Sequence, residues 1–309
     1  MRFNIFDGGG DGGGDGGGDG GGGGQSYGAG GGYVGSPLPQ GAPFLIFDPL
    51  GGEIHNSELD FAAIFPWSGW QPDLFGVIAL AEFGQTDWRC IEHAGPPTSP
   101  ADICVEIDQL AAMARGERPG LVGEILDQNG RLRGYFAEVL MMSAWSHPNT
   151  LKIIEMAIRV AQMVAVHFKL KFNRARPQQI CPALVPLINS PGHASFPSAH
   201  SLESHMIALA LAKVDPAHTK RALVALADRI GRNREVAGVH YPSDTCAGKE
   251  IAHEAFKRLE ACPIFQTILE QAKHEPGKAG QLYLPEECHS EQDKVGVPMS
   301  QADQSEKRL

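Results

Sequence analysis

Residues 149–177 read NTLKIIEMAIRVAQMVAVHFKLKFNRARP. Apolar side chains recur there at steps of three and four residues, the period of one face of an α-helix, and predict a helix over 149–171. His147-Pro148 supplies its start, because proline is favoured in a first helical turn. A basic cluster therefore lies at the end of the longest predicted helix, before Pro177: Lys169, Lys171, Arg174 and Arg176.

The same helical period recurs from about residue 76 to residue 274, and no convincing alternating strand pattern interrupts it. We therefore predict an all-α fold, a helical bundle. The other predicted helices are Ile103–Arg115, Leu121–Leu126, Arg131–Ala144, Ser198–Val214, His218–Arg232, Ser243–Leu259 and Ile264–Lys273.

The chain of 309 residues divides into four predicted segments. Residues 1–35 are rich in Gly and Asp and are predicted to be a disordered arm, because such a composition buries too little apolar surface to offset chain entropy. Residues 36–75 are predicted to wrap irregularly over the core, 76–274 to form the helical domain, and 275–309 to be a flexible tail.

The formal net charge is −10, which argues against a nucleic-acid surface. A basic cluster in an acidic protein is better explained by a local anion. The six cysteines form no CxxC pair and suit a reduced compartment or an incidental disulfide or two. No signal peptide and no apolar run of roughly 18 residues is seen, so we expect a soluble protein without integral membrane insertion, cytoplasmic or secreted by a non-classical route.

Two further clusters contain candidate site residues. One is Pro197-Ser198-Ala199-His200, which opens a predicted helix, and the other is Asn233-Arg234 followed by His240 and Asp244. A helix start presents unpaired N–H groups and a positive dipole end, which together bind anions. Convergence of these helix ends would create a small electropositive pocket that holds two histidines and a carboxylate.

The three clusters resemble the motifs of the type 2 phosphatidic acid phosphatase (PAP2) superfamily, which includes acid phosphatases and vanadium-dependent haloperoxidases. The family pattern is K-x6-R-P, then P-S-G-H, then S-R-x5-H-x3-D. The resemblance covers roughly residues 160–260 and implies a helical bundle with its active site at converging helix ends.

The resemblance also implies a role for each matching residue. His240 would attack phosphorus, or coordinate vanadium in a haloperoxidase. Asp244 would orient the His240 ring, and His200 would protonate the leaving oxygen and then activate water. The groups implied to bind phosphate or vanadate are Lys169, Arg176, Ser198, Ala199, Arg234 and His240.

Two positions depart from the family pattern. Ala199 replaces a glycine, which keeps the N–H donor but adds a methyl group. Asn233 replaces the serine before Arg234 and keeps a polar side chain, so we expect a small effect.

Two enzymatic activities are compatible with these residues. The leading hypothesis is hydrolysis of small phosphate monoesters with no metal and no cofactor. The alternative is a haloperoxidase that uses vanadate as cofactor and oxidises a halide with hydrogen peroxide. His193 favours the alternative as an accessory residue, because some vanadium bromoperoxidases carry a histidine seven residues before His200, whereas the absence of a tryptophan shortly before Lys169 disfavours it. A non-catalytic anion-binding protein is a third hypothesis, which the His240–Asp244 pair argues against.

Overall fold

The computed structural model describes residues 63–65, 69–215 and 219–275. Within these residues the chain is helical and contains no strand, so the all-α prediction is confirmed. Short 3-10 turns at Trp88–Cys90 and Pro182–Leu184 accompany the following α-helices: α1 Pro72–Phe83, α2 Pro100–Gly116, α3 Arg118–Val139, α4 Pro148–Phe172, α5 Pro177–Ile180, α6 Ala199–Val214, α7 Lys220–Val236, α8 Pro242–Glu260 and α9 Pro263–Ala272.

Proline marks the start of most of these helices. Its ring presets a helical φ angle, and its missing N–H is no loss in a first turn that has no intrahelical acceptor. The helices that begin with proline are α1, α2, α4, α5, α8 and α9. The helix predicted over 149–171 is observed as α4, and the predicted start at His147-Pro148 is correct.

Helices α4 and α6 form the centre of the bundle. α6 packs against α4, α7 and α8, while α1 and α9 cover α4. Fully buried small residues such as Ala157, Ala161 and Ala208 line these contacts and let the helix axes approach closely. Because α6 is surrounded, the polar side chains at its start, His200 among them, are also buried.

A second apolar cluster joins α2 and α3 to the connection between α7 and α8. Leu110 of α2, Ile125 of α3 and Val236 at the end of α7 pack together with Tyr241, which precedes α8. This cluster holds α2 beside the residues that carry the third sequence motif.

Helix α3 differs from the two separate helices that the sequence predicts for this region. The segments predicted as separate helices, Leu121–Leu126 and Arg131–Ala144, belong to one helix that ends at Val139. The backbone of Arg131 leaves helical geometry at φ −127° and ψ 31°. Asn129 and Gly130, which are weak helix formers, precede this distortion, so the weak period between the two segments reflects a kink and not a loop.

The predicted arm over 1–35, most of the predicted wrap over 36–75 and nearly all of the tail over 275–309 lie outside the described residues and stay predictions. The boundary predicted after residue 75 is wrong, because α1 already begins at Pro72. Among the helices that are described, none has the combined length and hydrophobicity that a bilayer-spanning segment requires.

Gly248 of α8 provides a test of the contact between α6 and α8. A Cβ atom at this position would lie 2.7 Å from the Ser198 carbonyl oxygen and 2.9 Å from Ser201 Cβ, closer than van der Waals contact allows. We expect Gly248→Ala to lower the free energy of unfolding by about 1–3 kcal/mol, measured by urea denaturation. Gly123→Ala is the control, because nothing lies within 4 Å of that Cβ, and it should be neutral or stabilise the helix by up to about 1 kcal/mol. Equal effects of the two variants would contradict this close helix contact.

Candidate active site

The residues of the sequence motifs lie at the ends of four helices. Lys169 lies in the last turn of α4, Ser198 is the N-cap of α6, Arg234 lies in the last turn of α7 and Asp244 lies in the first turn of α8. The backbone N–H of Ser198 donates to the Asp244 carbonyl oxygen at 3.0 Å, which joins the starts of α6 and α8 directly. The starts of α6 and α8 therefore meet at the residues that carry the second and third motifs.

His240 and Asp244 form a fully buried pair at this point. His240 Nδ1 lies 3.1 Å from Asp244 Oδ2, and His240 Nε2 lies 3.3 Å from Arg176 Nη1. A guanidinium can only donate hydrogen bonds, so Nε2 accepts from Arg176 and the ring proton resides on Nδ1, where it is donated to Asp244. This tautomer leaves the lone pair of Nε2 directed away from Asp244 and toward the cation.

Asp244 accepts hydrogen bonds from several sides. Besides His240, the Ser195 hydroxyl donates to Oδ2 at 2.5 Å, the Tyr241 backbone N–H donates to Oδ2 at 3.1 Å, and Arg174 Nη1 donates to Oδ1 at 2.6 Å. Burial by itself raises the pKa of this carboxyl, but the hydrogen bond and charge of His240, the charge of Arg174 and the Ser195 hydroxyl outweigh burial and lower the pKa to about 2. Asp244 is therefore an anion at neutral pH.

Arg176 is fixed by the loop that precedes α6 and by the residue before His240. Its Nε donates to the His193 carbonyl oxygen at 3.0 Å, and Nη1 donates to the Val239 carbonyl oxygen at 2.9 Å. His193 Nδ1 also lies 3.2 Å from Arg176 Nη2. His193 itself is exposed, so its link to the site runs through Arg176.

Lys169 is buried against the same loop. Its ammonium donates to the carbonyl oxygens of Ala194, Ser195 and Pro197 at 3.0, 3.1 and 2.7 Å. The lysine thereby holds the backbone that leads from Ser195 to the N-terminus of α6.

Arg234 is anchored to α3. Nη2 donates to the Ile125 carbonyl oxygen at 3.0 Å and Nη1 to Asn129 Oδ1 at 3.4 Å. The neighbouring Asn233 is buried, and its amide donates to Gln128 Oε1 at 2.9 Å and to Glu124 Oε1 at 3.0 Å. The asparagine that departs from the family motif therefore helps tie the end of α7 to α3.

The start of α6 contributes three predicted site residues. The Ser198 hydroxyl accepts from the backbone N–H of Ser201 at 3.4 Å and caps the helix, and Ala199 and His200 follow in the first turn. His200 lines a small pocket together with Asn129, Gly130, Leu132, Arg133, Ile158 and Glu203. Since Asn129 also contacts Arg234, this pocket lies near Arg234.

Sequence reasoning missed three residues that contact the pair or its partners. Ser195 lies in a loop with no motif of its own, and Arg174 was counted only as part of the basic cluster. Glu106 of α2 accepts from Arg174 Nη2 at 2.6 Å and from the Ser243 backbone N–H at 2.8 Å. No signal marks a single glutamate on a helix as a partner of residues about 70 and 137 positions later, so it could not have been found from the sequence.

The comparisons with known proteins agree with this arrangement. The family model described as the PAP2 superfamily matches residues 151–252. Over 93 residues the chain is 31% identical to a non-specific acid phosphatase of Salmonella typhi, an alignment that covers 30% of this chain and 37% of the relative. Over 89 residues it is 34% identical to a decaprenylphosphoryl-5-phosphoribose phosphatase of Mycobacterium tuberculosis (strain H37Rv), with 29% and 48% covered. The chain thus spans less than half the length of these curated relatives.

Two solved structures are also similar. A transmembrane PAP2-type phosphatidylglycerolphosphate phosphatase from Bacillus subtilis gives a TM-score of 0.42 at 15% identity, with 62% of this chain and 94% of that chain covered. LpxE from Aquifex aeolicus gives a TM-score of 0.34 at 20% identity, with 59% and 92% covered. The residues that the family model matches run from α4 into α8 and include all three motifs, so the chain resembles the PAP2 superfamily through this helical segment.

Proposed function

We propose that this chain hydrolyses phosphate monoesters through a phosphohistidine formed on His240. The observation that carries the proposal is the orientation of the imidazole. Nδ1 is bonded to the buried Asp244 carboxylate, while Nε2 faces the guanidinium of Arg176. An unprotonated ring nitrogen beside a fixed cation is suited to attack a phosphorus atom whose oxygens that cation binds.

In the first step, Nε2 of His240 forms a bond to phosphorus as the bond from phosphorus to the leaving oxygen breaks. His200 donates a proton to that oxygen, and the alcohol departs. Positive charge develops on the His240 ring, and the Asp244 carboxylate stabilises it.

In the second step, His200 removes a proton from a water molecule, and the water oxygen attacks the phosphohistidine. The bond between phosphorus and nitrogen breaks, inorganic phosphate is released and His240 returns to its neutral form. His200 thus acts first as an acid and then as a base, and the two steps together consume one water.

The cations would stabilise the negative charge on the transferred phosphoryl group. Arg176 lies against the attacking nitrogen, and Arg234 is anchored beside the pocket that His200 lines. Lys169, the Ser198 hydroxyl and the Ala199 N–H complete the set at the start of α6. Removal of one donor that binds developing charge typically costs about 100- to 1,000-fold in turnover.

The pocket beside His200 is the place where the leaving group would lie, because the acid must reach the leaving oxygen. Leu132 and Ile158 give this pocket apolar walls, while Asn129 and Arg133 offer polar contacts. Arg133 Nε bonds to Glu155 Oε1 at 3.0 Å, which fixes the guanidinium at the side of the pocket.

The names of the relatives favour a phosphatase over the other two hypotheses. The curated proteins described above are a non-specific acid phosphatase and a phosphoribose phosphatase, and hydrolysis of phosphate esters is common to both. Halide oxidation with vanadate has no such support. A protein that only bound an anion would gain nothing from a histidine oriented by a buried carboxylate.

Removal of the nucleophile tests the reaction itself. We expect wild-type protein to hydrolyse p-nitrophenyl phosphate without added metal and His240→Ala to lose at least about 1,000-fold in kcat, because the bond to phosphorus can no longer form. His253→Ala is the control, since His253 is an exposed histidine of α8, and it should keep wild-type turnover. Absence of wild-type turnover, or equal turnover in His240→Ala, would contradict the proposal.

The role of the carboxylate is tested by Asp244→Asn. An amide keeps the shape but not the charge that stabilises the imidazolium, so we expect kcat to fall by about 100-fold or more while the inhibition constant for orthovanadate changes little. Asp228→Asn is a matched control, because Asp228 Oδ1 also lies 3.1 Å from a histidine nitrogen, that of His205. If both substitutions lowered kcat equally, Asp244 would have no special part in the reaction.

A further inference from the structure

Arg174 bridges two carboxylates at the edge of the active site. Nη1 donates to Asp244 Oδ1 at 2.6 Å and Nη2 donates to Glu106 Oε2 at 2.6 Å. Nη1 also bonds to the Ser243 hydroxyl at 2.7 Å. The guanidinium lies over the Tyr241 ring with its central carbon 3.7 Å from the ring centroid. These contacts leave only 7% of the side chain exposed.

Glu106 brings a separate helix into this network. It is a residue of α2 and lies outside the segment that matches the family model. Its Oε1 accepts from the backbone N–H of Ser243 in the first turn of α8, while its Oε2 accepts from Arg174. Glu106 therefore holds both the start of the helix that carries Asp244 and the cation that binds Asp244.

We propose that Arg174 and Glu106 are positioning residues for the His240–Asp244 pair and together fix the orientation and the charge of the Asp244 carboxylate. The inference rests on the proposed function, since it assigns to the two residues an effect on the same reaction. Neither residue contacts the reacting atoms, so both act through Asp244.

The two oxygens of the Asp244 carboxylate have different hydrogen-bond partners. Asp244 Oδ2 receives the hydrogen bonds of Ser195, Tyr241 N–H and His240, whereas Oδ1 receives that of Arg174. Without Arg174 the carboxylate would lose its bond on the side away from the imidazole and could rotate about its terminal torsion. The planar fork of arginine suits this task, because it bonds two carboxylates at once in fixed directions.

Arg174 also acts on Asp244 through its positive charge. The positive charge of Arg174 is one of the causes that lower the pKa of Asp244. Burial lowers the pKa of Arg174, but Asp244 and Glu106 together outweigh burial and raise it. Arg174 is thus one cation shared by two anions, and Glu106 weakens the net positive field that the pair experiences.

Other charged groups near the pair stay the same when Arg174 or Glu106 is changed. Arg176 lies against His240 Nε2, and His193 lies on Arg176. Glu235 of α7 interacts electrostatically with His240 and is also paired with Arg232. Tyr241, whose pKa burial raises to about 12, stays neutral below that pH.

The test is the acid limb of the pH profile of kcat/KM for p-nitrophenyl phosphate, which reports proton uptake by the free pair. Glu106→Gln keeps an acceptor for the Ser243 N–H but removes a negative charge, so the limb should move to lower pH. Arg174→Met keeps packing on Tyr241 but removes a positive charge, so the limb should move to higher pH. We expect each shift to be about half a pH unit, and kcat to fall in Arg174→Met.

Glu82→Gln is the matched control. Glu82 of α1 likewise accepts from a first-turn backbone N–H, that of Ile264 in α9 at 2.9 Å, but it lies in another part of the bundle. Its acid limb should coincide with that of the wild type. Shifts of Glu106→Gln and Arg174→Met in the same direction, or no shift in either, would overturn the inference. If Arg174→Met does not fold, the result for Glu106→Gln decides alone.

A second measurement separates this inference from the proposed function. Nitrogen NMR of the His240 ring, assigned by comparison with His240→Gln, follows proton uptake by the pair without any turnover. If wild-type protein failed to hydrolyse the substrate, the proposed function would fall. The opposite shifts of the two variants would still be visible by NMR, and their absence there would overturn the positioning role.

Discussion

An ionised carboxylate that leaves water for a protein interior loses several kcal/mol of solvation, which only nearby cations and hydrogen-bond donors can replace. Asp244 is fully buried and is held ionised, so its surroundings must supply those groups. They come from different parts of the chain: a backbone N–H at the start of α8, a hydroxyl from the loop before α6, a guanidinium from the loop after α4 and an imidazole. The packing of α2, α4, α6 and α8 around one point follows from this demand as much as from apolar burial.

The three cations proposed to bind phosphate meet an opposite demand, because under the proposed function each must stay charged in a closed site. Lys169, Arg176 and Arg234 donate largely to backbone carbonyl oxygens. A carbonyl carries only a partial charge, so it satisfies the hydrogen-bonding geometry of a cation without neutralising it. Under the proposed function, a phosphoryl group would meet cations that these bonds already orient, so little reorganisation would be needed to stabilise the transition state.

Much of the fold could be predicted because its signals are local. Helical periodicity and proline at helix starts indicated α4, α6 and α8 to within a residue or two, and the family motifs indicated the residues at their ends. The kink at Arg131 and the partners of Asp244 could not be predicted, because they depend on contacts between distant segments. Glu106 and Asp244 meet on the same arginine although 138 positions separate them in the sequence, and nothing in the sequence of α2 distinguishes the buried Glu106 from the exposed polar residues of that helix.

The departure from the family motif at Asn233 can be explained by contacts with α3. Asn233 precedes Arg234, and its side-chain amide donates hydrogen bonds to α3. Arg234 bonds to the same helix near the kink. A serine at position 233 has a shorter side chain and only one hydroxyl proton, so it could not donate to Gln128 and Glu124 together. The asparagine therefore couples the position of Arg234 to the helix that forms one wall of the pocket beside His200. Under the proposed function, substitutions in α3, which carries none of the three motifs, would therefore act both on Arg234 and on the pocket that would receive the leaving group.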